Sequence, residues 1–138
     1  MARSEENQDA FFESLISLMQ RNNFDGVDID WEYPVAEDCR GIPEDFDNLN
    51  TLRHLRERLN KTGRKYGLSI TLPASYWCLR HFNINDGESY LDWFNVMTYD
   101  RHGAWDSNVA SLGPYAYAHT NSTEVQLGLE LLWRNNIN

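Results

Sequence analysis

The sequence predicts an α/β fold in which parallel strands alternate with helices. Three short segments of β-forming residues are separated by segments whose apolar residues recur at helical spacing. Strands joined through helices run parallel in one sheet. This order leaves open a doubly wound sheet and a slice of a (β/α)8 barrel. Glu32, Tyr99 and Asp100 fall at C-terminal strand ends, where barrels place their functional residues, and this favours the barrel.

Three helices are predicted from the spacing of apolar residues. The first covers about residues 5–22, the second begins at Pro43 and ends at Gly63, and the last begins near Thr123. Each has a buried stripe at helical spacing. In chain order these stripes are Phe11, Phe12, Leu15, Ile16 and Met19; Phe46, Leu49, Leu52, Leu55 and Leu59; and Val125, Leu129, Leu132 and Trp133.

The predicted strands lie between these helices. The first ends at Pro34, the second covers residues 68–73, and the third covers residues 94–99. A long loop containing Trp77 and a short helix near Tyr90 connect the second strand to the third. The chain shows no internal repeat or linker, so one domain is expected.

The first strand carries acidic residues at alternate positions: Asp28, Asp30 and Glu32. Successive strand side chains point to opposite faces, so these carboxyl groups share one face, about 6–7 Å apart along the strand. Three carboxylates in a dry site cannot all stay ionised, so we expect a shared proton and one raised pKa. Cleavage of a glycosidic bond needs a protonated carboxylic acid at the mouth of a cleft, and Glu32 lies nearest the predicted mouth.

Two other interpretations of these acids are available. They could form the solvated face of an edge strand, because perturbed carboxylates also occur in structural networks. A calcium loop would need Gly directly after the third acid and Glu seven residues beyond it, and neither is present.

The third strand adds residues to the same face. With Phe94 and Val96 directed toward helices, Asn95, Met97 and Tyr99 point inward. Tyr99 can donate a hydrogen bond to a ligand carbonyl, and Met97 can line a pocket or belong to the core. Separately, two tryptophans, Trp77 and Trp105, fall in loops after strand ends, where an indole can stack on a sugar ring or anchor local packing.

Composition limits the partners. The net charge of −9, from 21 acidic and 12 basic residues, argues against a nucleic-acid partner. The sequence has no apolar run of membrane-spanning length and no apolar segment typical of a signal peptide near its start. Cys39 and Cys78 lack metal-ligand spacing; they are expected to be thiols, or a disulfide if the protein is exported. Two N-glycosylation triplets begin at Asn60 and Asn121.

Two motifs resemble those of the family-18 glycoside hydrolases, the chitinases. The run from Phe24 to Pro34 is similar to the family pattern D-x-x-D-x-D-x-E. The run from Phe94 to Asp100, followed by His102-Gly103-Ala104-Trp105-Asp106, is similar to its second strand motif. The segment from Gly67 to Trp77 looks like the intervening strand of fungal class V chitinases, including the killer-toxin-like subgroup.

The resemblance implies hydrolysis of β-1,4-N-acetylglucosamine linkages by a substrate-assisted retaining mechanism. Glu32 would protonate the glycosidic oxygen, and the substrate's own 2-acetamido oxygen would be the nucleophile. Asp30 would hold the acetamido N–H and stabilise the developing positive charge. Asp28 would share a proton with Asp30, whereas Asp25 is out of phase with the other acids and is expected to be structural.

The resemblance also implies a sugar-binding set. Tyr99 would hold the acetamido oxygen, Asp100 would contact the same sugar, and Trp105 would stack on the sugar beyond the cleaved bond. Met97, Tyr33 and Trp77 complete the expected set. The implied ligand is chitin or chito-oligosaccharide, with no metal or organic cofactor. An extracellular location is expected from the family and from the glycosylation triplets, and chitin-binding modules can flank such a segment.

A complete (β/α)8 barrel takes about 250 residues. By the resemblance, the three strands here are the fourth to sixth, so residues 1–138 are expected to be an internal fragment of a catalytic domain. Its inner face would be open to water, and we expect the isolated chain to be poorly stable and nearly inactive. The alternative is a chitinase-like protein that binds chito-oligosaccharides without cutting them, although such proteins lack the acid at the position of Glu32.

Overall fold

The computed structural model describes residues 4–37, 41–43, 45 and 50–137. Within them, helices alternate with strands as predicted. A 3-10 helix, Ala104–Asn108, lies between the last strand and the last helix. The helices and strands are α1 (Glu5–Asn22), β1 (Gly26–Ile29), α2 (Asn50–Lys61), β2 (Gly67–Pro73), α3 (Tyr76–Leu79), α4 (Ile84–Glu88), β3 (Trp93–Met97) and α5 (Ser122–Arg134).

The strands of the described residues form one parallel sheet in the order β1-β2-β3. Asp28 of β1 lies opposite Ser69 of β2, and Thr71 of β2 lies opposite Asn95 of β3. The predicted parallel α/β fold is therefore confirmed. Because β2 lies between the other two strands, its side chains occupy the centre of both faces of the sheet.

One face of β2 is apolar and the other is polar. Leu68, Ile70 and Leu72 are buried against the helices, whereas Ser69 and Thr71 point to the opposite face. This alternation follows from the two-residue period of a strand. The polar face of the sheet is the face on which the sequence places the acidic residues.

Two apolar clusters join the helices to the sheet. One joins α1 and α2 to β1 and β2, with Phe12, Met19, Leu55, Leu59, Tyr66 and Leu68 buried in it. The other joins α2, β2, α3 and α5, and its buried residues are Leu52, Ile70, Leu72, Leu79, Phe82, Leu132 and Ile137. The clusters cover the apolar face of the sheet and leave its polar face open.

The long helices begin with polar caps. The hydroxyl of Ser4 accepts the N–H of Asn7 at 3.4 Å, and Oδ1 of Asn121 accepts the N–H of Glu124 at 3.0 Å. The side chain at the second glycosylation triplet therefore caps α5. Within the described ranges, no helix is long and apolar enough to cross a bilayer.

The first and third strands end earlier than predicted. β1 ends at Ile29, so Asp30 and Glu32 follow the strand, and β3 ends at Met97, two residues before Tyr99. Each strand ends where its pairing with β2 ends: Ile29 pairs with Ile70, and Met97 pairs with Pro73. Asp30, which follows directly after β1, is in addition a residue type that strands disfavour.

Two predicted connections contain additional structure. The loop around Trp77 includes α3, whose first turn is capped by the hydroxyl of Ser75. The loop after β3 includes the 3-10 helix. For α2, Leu52, Leu55 and Leu59 are buried as predicted, whereas Phe46 and Leu49 lie outside the described residues.

Candidate active site at the strand ends

Asp28 is held by one hydrogen bond from each of three side chains. The hydroxyl of Ser69 donates to Oδ1 at 2.5 Å, the hydroxyl of Thr71 donates to Oδ2 at 2.6 Å, and Nδ2 of Asn95 donates to Oδ1 at 2.8 Å. Burial raises the pKa of Asp28, but the three donors outweigh it and bring the pKa below the ordinary value. These contacts favour an ionised Asp28.

Among the three acids, Asp30 is the one whose pKa is raised. Desolvation raises the pKa of the Asp30 carboxyl, and the negative charges of Glu32 and Asp28 raise it further. A hydrogen bond with Glu32 acts in the same direction. The predicted crowding of like charges is therefore present, and its effect is centred on the middle residue of the three.

The acids face solvent. Asp28, Asp30 and Glu32 are all exposed, and the described residues do not enclose them in a cavity. The polar face that carries these acids is therefore open to solvent in the part of the chain that the structure describes. The three described strands cover the acids from one side.

Tyr33 lies between the acids and the apolar core. Its ring meets Phe82 edge-on, with the ring centroids 6.4 Å apart. Burial raises the pKa of Tyr33, and the charge of Glu32 raises it further. Tyr33 is thus a protonated, half-buried neighbour of Glu32 at ordinary pH.

The predicted residues of the third strand surround its C-terminal end. Met97 is the last residue of β3 and is half-buried, while Tyr99 is 53% exposed. Asp100 has a left-handed backbone with φ of 51°, and its N–H donates to Nδ1 of His119 at 3.3 Å. Tyr99 and Asp100 thus lie just beyond the C-terminal end of β3.

Both predicted loop tryptophans are exposed, Trp77 by 66% and Trp105 by 60%. The guanidinium of Arg80 lies over the Trp77 ring, 3.6 Å from its centroid. Trp105 lies against Gly103, where an added Cβ would come within 2.4 Å of the indole. Part of each indole therefore contacts its own chain, and the rest is accessible.

Two smaller predictions can be placed. Asp25 pairs with Arg64 at 2.9 Å, in agreement with a structural role. Cys78 is a free, half-buried thiol, and Cys39 lies outside the described residues. In the part of the chain that the structure describes, no cluster of His, Cys, Asp and Glu could hold a metal ion.

A buried ionic cluster beside the site escapes prediction from the sequence. His102 lies between Asp106 and Glu124, at 2.7 Å and 2.8 Å, and Nε of Arg101 lies 3.7 Å from Glu124. The spacing of His102 and Asp106 in a turn gave a weak signal. The contact with Glu124 depends on how α5 packs, which local patterns do not reveal.

Comparison with known proteins identifies the family. The model for "Glycosyl hydrolases family 18" matches residues 1–129. Killer toxin subunits alpha/beta of Kluyveromyces lactis are 36% identical over 94% of this chain, which covers 11% of that protein. Probable chitinase LysM11 of Penicillium expansum is 39% identical over 91% of this chain, which covers 12% of that protein.

A solved structure gives the same result. Chitinase ChiW of Paenibacillus sp. superposes with a TM-score of 0.82 at 31% identity, over 99% of this chain and 17% of that chain. The chain thus spans between about a tenth and a fifth of the length of these relatives. The chain belongs to glycosyl hydrolase family 18.

Proposed function

We propose that residues 1–138 are a segment of a chitinase catalytic domain, in which β1, β2 and β3 are the fourth, fifth and sixth strands of a (β/α)8 barrel. The family membership, the names of the relatives and the small share of each relative that is covered support this proposal. The parallel order of the three strands fits consecutive strands of such a barrel.

The proposed reaction is hydrolysis of β-1,4-N-acetylglucosamine linkages in chitin or chito-oligosaccharides. Glu32 protonates the glycosidic oxygen as the sugar leaves. The observation that carries this proposal is the graded environment of the acids: Asp28 is fixed as an anion, and Asp30 has a raised pKa and a hydrogen bond to Glu32. A proton held between Asp30 and Glu32 is available to the leaving oxygen.

The nucleophile is the acetamido oxygen of the substrate itself, which forms an oxazolinium ion. Asp30 accepts the acetamido N–H and stabilises the positive charge that develops on the sugar. Asp28 lies deeper along the sheet and contributes a fixed negative charge. Its three donors hold that charge in place without consuming the proton that the reaction needs.

The other predicted residues contact the sugar. Tyr99 donates to the acetamido oxygen, Asp100 contacts the same sugar, and Trp105 stacks on the sugar beyond the cleaved bond. Met97, Tyr33 and Trp77 complete the walls. This chemistry uses carboxyl groups and the substrate alone, so the proposal includes no metal or organic cofactor.

The exposure of the acids also bears on the activity of the isolated chain. Because the carboxyl groups of this segment lie in water, the repulsion between their charges is screened. We therefore expect the isolated 138-residue chain to be nearly inactive. Two relatives from Penicillium expansum are named as chitinases, one of them as secreted, so an extracellular enzyme is proposed, with any chitin-binding module outside these residues.

The test compares substrates and forms of the protein. The native polypeptide that carries these residues is given fluorogenic chitotrioside and fluorogenic cellotrioside, and the anomer formed first is identified by NMR. We expect cleavage of the N-acetylated substrate alone, with β product. Equal cleavage of both substrates, or α product, would overturn the mechanism.

The same assay tests the 138-residue chain alone. We expect a rate at least about 100-fold below that of the native polypeptide, the scale of a lost general acid. Ordinary turnover by the isolated chain would show that the described strands suffice and that the segment proposal is wrong.

A further inference from the structure

His102 bridges two elements that are separate in the sequence. Its Nδ1 lies 2.7 Å from Oδ2 of Asp106 in the 3-10 helix, and its Nε2 lies 2.8 Å from Oε1 of Glu124 in α5. The side chains of His102 and Asp106 are only 9% and 6% exposed. This bridge fixes the loop after β3 to the first turn of α5.

The geometry favours a charged imidazole. Carboxylates accept hydrogen bonds and do not donate them, so an imidazole between two carboxylates donates from both nitrogens and carries a positive charge. Of the other groups near the ring, Tyr117 packs 4.8 Å away between ring centroids, and Arg101 pairs with the second oxygen of Glu124 at 3.7 Å. The cluster thus contains two anions and two cations.

The bridge bears directly on Trp105. The carboxylate of Asp106 that holds His102 also accepts the N–H of Gly103 at 3.3 Å, and the N–H of Asp106 donates to the carbonyl of Gly103 at 3.0 Å. The indole of Trp105 lies against Gly103 within this turn. The exposed indole therefore belongs to a turn in which two hydrogen bonds join Gly103 to Asp106.

We propose that His102 is a positioning residue for Trp105: by tying Asp106 to Glu124, it holds the 3-10 helix so that the indole presents one face to a bound sugar. This inference rests on the proposed function, in which Trp105 stacks on the sugar beyond the cleaved bond. His102 acts through Asp106 and does not itself contact the sugar.

The bridge makes the position of Trp105 depend on pH. Hydrogen bonds to Glu124 and Asp106 raise the pKa of His102 above its ordinary value of 6.5. The imidazolium therefore persists above pH 6.5, and the bridge is lost as the pH rises through the raised pKa. Sugar binding through Trp105 should weaken over the same interval.

The first test does not use sugar. The 138-residue chain is titrated by NMR, following the His102 imidazole and the Trp105 indole N–H, which is assigned with Trp105→Phe. We expect one shared midpoint above 6.5. In Glu124→Gln, which keeps the imidazole and removes one negative charge, both midpoints should fall together. His119→Gln, on the same loop but 61% exposed at its side chain, should leave both unchanged.

The second test measures the consequence for the ligand. Binding of chitohexaose at pH 6 should be about threefold to tenfold weaker in His102→Gln than in the wild-type chain, the scale of a lost aromatic contact. The wild-type affinity should fall as the pH rises, and the affinity of the variant should stay flat.

The outcomes separate the two proposals. His102 titrating at 6.5, or a Trp105 signal that ignores its titration, would overturn the positioning role, whether or not the variants fold. So would unchanged binding in His102→Gln when Trp105→Ala loses it. If the wild-type chain binds no chitohexaose at any pH, the indole titration alone decides the positioning role, and the assay on the native polypeptide decides the proposed function.

Discussion

Nδ2 of Asn95 lies 2.8 Å from Oδ1 of Asp28, although β2 separates the strands that carry them. The side chains thus reach each other across the polar face of the central strand, where Ser69 and Thr71 also donate to Asp28. A carboxylate held from three sides by two neighbouring strands is a fixed charge.

Removing one of these donors should weaken both the charge and the fold. In Ser69→Ala, we expect the pKa of Asp28 to rise and the free energy of unfolding to fall by about 1–2 kcal/mol, the scale of a hydrogen bond to a charged group reduced for exposure. NMR titration of the Asp28 carboxyl and urea denaturation measure the two effects.

The matched control is Ser89→Ala, since Ser89 is exposed at the end of α4. It should change the free energy of unfolding by less than about 0.5 kcal/mol. An unchanged pKa of Asp28 in Ser69→Ala would mean that the hydroxyl contributes nothing to holding the charge.

Arg56 connects α2 to two strands. Its guanidinium donates to Asp92 at 2.7 Å and to the carbonyls of Tyr66 and Tyr90 at 2.8 Å and 2.9 Å, while the N–H of Leu68 donates to the same Asp92 oxygen at 2.8 Å. Lysine cannot reproduce this planar set of donors. We expect Arg56→Lys to lower the free energy of unfolding by about 1–3 kcal/mol in urea denaturation.

Arg53→Lys is the control for this substitution. Arg53 makes an exposed pair with Glu57 one turn away, at 3.1 Å, and such pairs contribute about 0.3–0.5 kcal/mol. If both lysine variants were equally stable, the connection through Arg56 would have no energetic weight.

Acid should destabilise the chain through two lowered pKa values. The hydrogen bond from the backbone of Leu68 and then the contacts of Arg56 lower the pKa of Asp92, and the donors around Asp28 lower the pKa of that group. Because the folded values lie below the unfolded value of 3.8, the stabilisation is complete above pH 3.8 and is lost as the pH falls through the folded values.

The measurement is urea denaturation at several values of pH between 5 and 2. Asp92→Asn should be less stable than the wild-type chain at pH 5, and its stability should fall less on acidification. A variant that lost stability as steeply as the wild-type chain would show that Asp92 is not a source of the acid sensitivity.

The sequence predicted the features that depend on local periodicity. The inward direction of Asn95 was predicted from the two-residue period of a strand, and its contact with Asp28 agrees with that direction. The Arg56–Asp92 and His102–Glu124 contacts join residues 36 and 22 positions apart. Such contacts depend on how helices pack on the sheet, so a single sequence carries little sign of them.

The ends of the strands were mispredicted for the same kind of reason. The alternation from Asp28 to Glu32 continues past Ile29, but a strand continues only where a neighbouring strand pairs with it. The exposure of the acids likewise depends on what surrounds the sheet. The residue pattern shows which face is polar, and it does not show whether that face is covered.

Gly128 illustrates a position where packing outweighs helix propensity. Alanine in a helix is favoured over glycine by about 1 kcal/mol, yet a Cβ at this position of α5 would lie 2.8 Å from the carbonyl oxygen of Ala74 and 3.1 Å from Nη1 of Arg101. We expect Gly128→Ala to lower the melting temperature, because overpacking costs about 1–3 kcal/mol.

Gln126→Ala is the companion variant, since Gln126 is exposed on the same helix. It should leave the melting temperature within a few degrees of the wild-type value. A Gly128→Ala chain that melts higher than the wild-type chain would show that α5 can move away from β2 at little cost.

The central claim is that Glu32 delivers the proton to the glycosidic oxygen, and its most direct test is a matched pair of Glu→Gln variants. In the native polypeptide that carries these residues, kcat for chitotrioside is measured for Glu32→Gln and for Glu37→Gln, an exposed position five residues further along. We expect a loss of about 10²–10⁴-fold in kcat for Glu32→Gln and a wild-type rate for Glu37→Gln. An unchanged kcat in Glu32→Gln would contradict the central claim.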